Sequence, residues 1–203
     1  MKASVIKIDP VNPDKRSIAS AAKIIKEGGL VVFPTETVYG IAANFFDDNA
    51  LARLRKVKAR PGKKPFTIHI SDESMIRDMG CLVTETAEKL INKFWPGPLT
   101  IILASGFGKK IGFRMPANKI ALELIKASGV PIVAPSANLK GKNPPVTAEE
   151  ALMDLADKVD MVIDGGRADI AVESTVIDLT IDPPDILRVG AVSEEELSKA
   201  ING

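Results

Sequence analysis

Short apolar runs alternate with helical periodicities along most of the chain. Residues 4–8, SVIKI, predict a strand. After the polar turn DPVNPD, Ile18, Ala21, Ala22 and Ile25 recur at the i, i+3, i+4, i+7 spacing of one helix face. Gly28-Gly29 ends that helix, because glycine takes the left-handed conformation past a C-cap at little cost. LVVFP then reads as a buried strand, TETVYG as a polar turn, residues 49–58 as a helix and FTIHI as a strand.

Ala87, Leu90, Ile91 and Phe94 mark a further helix face, which WPGPL breaks. TIILA and GFRMP are strands around a glycine-lysine turn, Ala121, Leu124 and Ile125 mark another helix, and VPIVAP is a strand. Residues 148–158 read as a helix, MVID, STVIDL and ILRV as closing strands, and residues 194–201 as a last helix. Strands interleaved with helices predict an α/β fold, with helices packed on its main sheet. The strand-rich final third makes that sheet mixed, and with no linker or internal repeat, residues 1–203 read as a single domain.

Composition narrows the function classes. The chain of 203 residues is 45% hydrophobic and 26% charged, ordinary for a globular domain. Its formal charge of +1 excludes a uniformly basic nucleic-acid coat, so any affinity for polyanions must come from local clustering. One cysteine gives no internal disulfide, and one histidine beside it gives no Cys/His zinc set. The start MKASVIKIDP lacks a signal-peptide apolar run, and no stretch reaches the roughly 20 apolar residues of a membrane span. A cytoplasmic location without membrane attachment is expected.

Candidate chemistry gathers where strands end, as it does in open α/β sheets. The segment from Arg53 to Lys64 holds seven basic residues and no acidic one. Pro61 and Gly62 take Arg60, Lys63 and Lys64 out of regular helix onto a turn, where an anion between them would relieve their repulsion. Neither GxxxxGKS/T nor GxGxxG after a strand is present, so a bound nucleotide would rely on side-chain cations and strand-end amides. Ser136 and Asn138 alternate at a turn after an apolar strand. Arg114 sits within an apolar strand, where it points outward or, if inward, needs a partner such as a substrate carboxylate. His69 faces away from Ile68 and Ile70, and without GxSxG nothing ties it to an activated serine.

Taken in order, GGLVVFPTETVYGIAAN, KARPGKKPFTIHI, FWPGPLTIIL, FRMPAN, PIVAPSANLKGKNPPVT, DGG with ESTVIDL, and ILRVGAVS resemble the YrdC/YciO family, from about residue 16 to 197. KxR at Lys58 and Arg60 with SxN at Ser136 and Asn138 is that family's signature. The resemblance implies a twisted open mixed sheet with a concave, positive face, and L-threonylcarbamoyladenylate synthase activity. Such an enzyme, a nucleotidyltransferase, makes threonylcarbamoyl-AMP and pyrophosphate from L-threonine, bicarbonate and ATP. A tRNA-modifying threonylcarbamoyltransferase then uses the product to make threonylcarbamoyladenosine.

The resemblance further implies that Lys58, Arg60, Lys64, Ser136, Asn138, Pro144 and Arg188 bind ATP, with Mg2+ held through the phosphates. It implies that Thr37, His69, Arg114, Ala134 and Ser174 line the threonine site, with Arg114 on the carboxylate. No covalent intermediate is expected. A non-catalytic double-stranded RNA or tRNA-binding module of the YciO type is the alternative. Phe66 stands where the synthases usually have leucine, and Lys110 where a small hydroxyl residue is common. With 203 residues set against longer relatives that carry a C-terminal domain, the single-domain branch is expected.

Overall fold

The computed structural model describes residues 2–60 and 64–203, so the turn expected at residues 61–63 lies outside the described residues. Ten strands form one twisted, unclosed mixed sheet in the order β1-β8-β2-β3-β7-β4-β6-β5-β9-β10. They are β1 (Ser4–Lys7), β2 (Val31–Phe33), β3 (Gly40–Asn44), β4 (Ile68–His69), β5 (Leu99–Ala104), β6 (Lys110–Arg114), β7 (Ile132–Val133), β8 (Met161–Asp164), β9 (Thr175–Asp178) and β10 (Asp185–Arg188). The seven helices among the described residues are α1 (Lys15–Lys26), α2 (Asp48–Val57), α3 (Ser74–Asp78), α4 (Glu85–Phe94), α5 (Lys119–Ser128), α6 (Ala148–Leu155) and α7 (Glu194–Asn202).

Helix α1 shows how the pattern becomes structure. Asp14 caps it by accepting from the Ser17 amide at 2.9 Å, and its buried face is the stripe Ile18, Ala21, Ala22 and Ile25. The other long helices start on similar caps, Asp47, Thr84, Asn118, Thr147 and Ser193, each accepting from an amide of the first turn. Two elements escape the sequence pattern. Short α3 is one, and β3 is the other. Its residues GIAAN are small and almost wholly buried on both faces, so they show no alternation. Gly40–Ala42 pair antiparallel with β2, while Ala43 and Asn44 pair with β7, so β3 joins the two halves of the sheet.

Successive residues of a strand pack to opposite sides. On one side Val32, Ile41, Val162, Ile68, Phe113, Ile101 and Ile177 meet the apolar stripes of α2, α4 and α6. This layer runs beneath nearly the whole sheet. On the other side Val31, Phe33, Ala42, Ile132 and Ile163 meet α1 and α5, which supply Ile25, Ala21, Leu124 and Ile125. Among the described residues, that second apolar layer takes its strand residues from β1, β2, β3, β7 and β8 only. Beyond β7 the same side carries His69, Gly112, Arg114, Thr100, Ile102, Val176 and Asp178, with no helix packed over them in that cluster.

The end of the chain is tied back at one tight place. Thr175 Oγ1 accepts the amides of Gly190 and Val192 at 2.9 and 3.0 Å, and donates to the Val192 carbonyl. A Cβ on Gly190 would lie 2.2 Å from the Glu173 carbonyl oxygen, so only glycine permits this approach. We expect Gly190→Ala to lower unfolding free energy by about 2 kcal/mol in urea titrations. An unchanged midpoint would show that the segment yields without cost.

Candidate active site

The uncovered side of β4, β6, β5 and β9 forms the floor of a cavity of about 470 Å3, within the usual size range for small-molecule sites. Thr35, Val38 and Tyr39 close one wall, and Ala134 to Ser136, after β7, form another. Lys58, Arg60 and Lys64 reach it from the end of α2, and Arg188 from β10. Six cationic side chains line it, Lys58, Arg60, Lys64, Lys110, Arg114 and Arg188, against two carboxylates, Glu173 and Asp178. The enclosed space is therefore electropositive.

Sequence reasoning had named Lys58, Arg60, Lys64, His69, Arg114, Ala134, Ser136, Ser174 and Arg188 as site residues, and all nine share this cavity. Thr37 lies directly behind, its Oγ1 accepting from Arg114 Nη2 at 2.8 Å. Asn138 and Pro144 fall outside, in an adjoining hollow of about 460 Å3. The Asn138 side chain is turned to hold its own loop: Oδ1 accepts from Ser136 Oγ at 2.7 Å, and Nδ2 donates to the Lys142 carbonyl.

Lys58 is itself part of that loop's framework. Its ammonium donates to the Ser136 carbonyl at 2.6 Å, to Asn138 Oδ1 at 2.9 Å and to the Asn138 carbonyl. Those bonds match the three donors that a lysine has, so Lys58 of KxR and the SxN turn are physically one unit. Burial pushes the ammonium down to about 8, with Glu173 opposing and Arg60 assisting that shift. Arg60 is held by different means. It donates to the Pro65 carbonyl at 3.0 Å, and its guanidinium lies 4.9 Å from the centre of the Phe66 ring. Arg55 sits at the same distance from that ring, so Phe66 gathers two arginines by cation–π attraction.

At the other end of the cavity Arg114 points inward and is 5% exposed. Its partner is Glu36, which sequence reasoning missed, at 2.9 Å from Nη2. Nε donates to the Gly97 carbonyl at 3.3 Å. Burial lowers the guanidinium's affinity for its proton, while Glu36 works the other way, and a guanidinium stays charged. Next to it, Ser174 Oγ lies 3.0 Å from Thr100 Oγ1 and accepts from Arg188 Nη2 at 3.2 Å. Arg188 also pairs with Glu173 at 2.9 Å, and Lys110 with Asp178 at 2.9 Å.

His69 is buried beside the register partner Arg114, with Phe33 edge-on to its ring, and its Nδ1 has no hydrogen-bond partner among the described residues. Burial pushes the imidazole down to about 3, with Arg114 adding to the effect. His69 is thus neutral near pH 7 and offers a hydrogen bond rather than a strong base.

With that geometry in view, the chain can be compared with known proteins. A family model for Sua5, YciO and YrdC proteins, described as telomere recombination, matches residues 23–190. The chain belongs to this family. Across 193 residues it is 46% identical to the threonylcarbamoyl-AMP synthase of Pyrococcus abyssi, covering 91% of this chain and 57% of that protein. The chain thus spans less than three fifths of that relative's length. Among solved structures, P. abyssi Sua5 complexed with L-threonine superposes with a TM-score of 0.92 at 43% identity, over 97% of this chain and 60% of that one. E. coli YciO superposes with a TM-score of 0.86 at 31% identity, over 96% and 99%.

A Mg2+ ion must be weighed against the donors present. Among the described residues no three His, Cys, Asp or Glu side chains come together to hold a metal. The two cavity carboxylates are already paired with Arg188 and Lys110. The site therefore suits Mg2+ only as an ion carried in by a nucleotide's phosphates, a usual mode for this strongly hydrated cation.

Two measurements test this geometry. The unfolded chain protonates His69 near its ordinary value of 6.5, whereas the folded protein resists until about 3. Its contribution to stability is therefore complete above pH 6.5 and is lost as pH falls toward 3. Between pH 7 and 5, His69→Asn should lose about 2 kcal/mol less stability than the parent protein; equal losses would mean that His69 takes up its proton while folded. Phe66→Ala should release Arg60 and weaken binding of ATP, used as a polyanionic probe of the electropositive cavity, by about tenfold. Unaltered ATP affinity would remove Phe66 from the framework.

Proposed function

We propose that residues 1–203 act as one domain with L-threonylcarbamoyladenylate synthase activity. The enzyme combines L-threonine, bicarbonate and ATP into threonylcarbamoyl-AMP and pyrophosphate. The observation that carries this reading is that one cavity joins a cationic cluster, Lys58, Arg60 and Lys64, which forms no ion pair among the described residues, to a second group built from Arg114, Ser174 and His69. The first suits a triphosphate and the second an amino acid. The names of the P. abyssi relatives support the same reading.

The chemistry asks little of the protein beyond placement. Bicarbonate takes up a proton and loses water to give CO2, threonine's neutral amine captures the CO2 and sheds a proton to give a carbamate, and the carbamate oxygen attacks the α-phosphorus and expels pyrophosphate. Two anions must approach, so Arg60, Lys64 and Arg188 screen them, and Mg2+ adds charge neutralisation when it is bound with ATP. Lys58 contributes by fixing the Ser136–Asn138 turn. Holding both substrates in one cavity supplies on the order of 7–11 kcal/mol, without a protein nucleophile. The product goes to a tRNA-modifying threonylcarbamoyltransferase, in the cytoplasm.

Purified protein should release pyrophosphate only when ATP, bicarbonate and L-threonine are all present. Release without threonine, or none with Mg2+ supplied, would favour the RNA-binding alternative. That alternative also requires affinity falling with log salt by about 0.7–0.9 per phosphate contacted. Replacing Arg114 with alanine would leave Glu36 buried and unpaired at a cost of about 3–5 kcal/mol, so lysine is the cleaner substitution. Arg114→Lys keeps the charge but loses the planar fork, and should raise the KM for threonine about tenfold while the KM for ATP stays within about twofold. Equal increases in both would separate Arg114 from the amino acid.

A further inference from the structure

Glu36 is the one acidic group that the site so far leaves without a task. It is 4% exposed, and its carboxylate has one partner among the described residues, Arg114 Nη2 at 2.9 Å. A carboxylate buried on such terms is costly, and an ion pair of this kind is rarely more stable than apolar side chains of the same volume. Stability alone therefore does not account for it.

Its placement suggests what does. Of the Arg114 fork, Nη2 is fixed between Glu36 and Thr37 Oγ1, and Nε is directed at the Gly97 carbonyl. Among the described residues that leaves Nη1 to meet a ligand in the cavity that Arg114 lines. The guanidinium charge at this end is cancelled, because Arg114 faces Glu36 at 2.9 Å. At the opposite end Lys58, Arg60 and Lys64 have no carboxylate in an ion pair with them among the described residues. The cavity is electrostatically two-ended, strongly positive at one end and balanced at the other.

We propose that Glu36 is a positioning and specificity residue: it locks the Arg114 fork through Nη2 and cancels its charge, so that this end accepts a zwitterionic α-amino acid in preference to a bare carboxylate. An anion entering a balanced pocket brings an uncompensated charge, whereas a zwitterion brings none. The carboxyl group then meets Nη1, and on entry the ammonium group gains from the Glu36 field rather than opposing a lone guanidinium, before it passes a proton to bicarbonate and becomes the reactive amine. The choice of amino acid rests on the synthase reading. The preference for a zwitterion rests on the ion pair alone.

The test is isothermal titration of the intact chain with L-threonine and with 3-hydroxybutyrate, the same molecule without its amine. The parent protein should bind threonine more tightly by at least about tenfold, and Glu36→Gln should shrink that ratio by about tenfold, chiefly by sparing 3-hydroxybutyrate. Glu36→Asp, which keeps the charge, should preserve the ratio while weakening both ligands. Thr37→Val, which removes a neutral contact to the same nitrogen, should also weaken both alike.

If Glu36→Gln weakens the two ligands equally, or leaves the ratio unchanged, the proposal is overturned. If Glu36→Gln does not fold, the parent and Glu36→Asp decide: a parent ratio near one, or a ratio lost in Glu36→Asp, overturns it equally. Failure of the synthase reading has a separate signature, selective threonine binding with no threonine-dependent release of pyrophosphate.

Discussion

Helices α1 and α5 cover one side of the sheet only as far as β7, and beyond it β4, β6, β5 and β9 present side chains on that side with no apolar layer to meet them. The other side of the same strands is fully covered, because Ile68, Phe113, Ile101 and Ile177 join the main core. Each strand therefore has one face committed to stability and one left for chemistry. Register then does the rest. Pairing of His69 with Arg114, and of β5 with β9, which sets Thr100 and Asp178 on the same side, brings polar groups from distant parts of the chain into adjacent rows.

Holding cations together in a cavity requires that each be fixed by something other than its absent ligand. The protein uses a different device for each. Lys58 is clamped by oxygen atoms of the Ser136–Asn138 turn, Arg60 lies against Phe66, and Arg114 is held by Glu36 and Thr37. Lys58 and Arg60 use neutral partners, carbonyls and an aromatic ring, so their positive charge survives for a ligand. Arg114 and Arg188 are paired with carboxylates, so their charge is offset. Under the proposed reading, that contrast separates a place for a polyanion from a place for a zwitterion.

Most of this was legible in the chain where periodicity is strong. The stripe Ile18, Ala21, Ala22 and Ile25 gave α1 its buried face, and Ala87, Leu90 and Ile91 did so for α4, with Phe94 only partly buried. The mixed sheet and nine members of one cavity were also anticipated. What escaped has physical causes. β3 is small-residued and buried on both faces, so it has no pattern to display. Thr35 and Glu36 read only as part of a polar turn, with Thr37 alone assigned to the site through the resemblance, yet all three are buried because that turn passes beneath Arg114. FTIHI shortens to Ile68 and His69, the only residues with partners in both β6 and β7. The carboxylates Glu173 and Asp178 were unremarked because acidic residues near strand ends are usually solvated, and only the fold shows the cations they neutralise.

The most direct measurement is a crystal structure of this chain with L-threonine and a non-hydrolysable ATP analogue. Both ligands should occupy the single cavity, the carboxylate against Arg114 and the phosphates among Arg60, Lys64 and Arg188. A nucleotide bound on another surface, or threonine bound away from Arg114, would contradict the division of the cavity into a phosphate end and an amino-acid end.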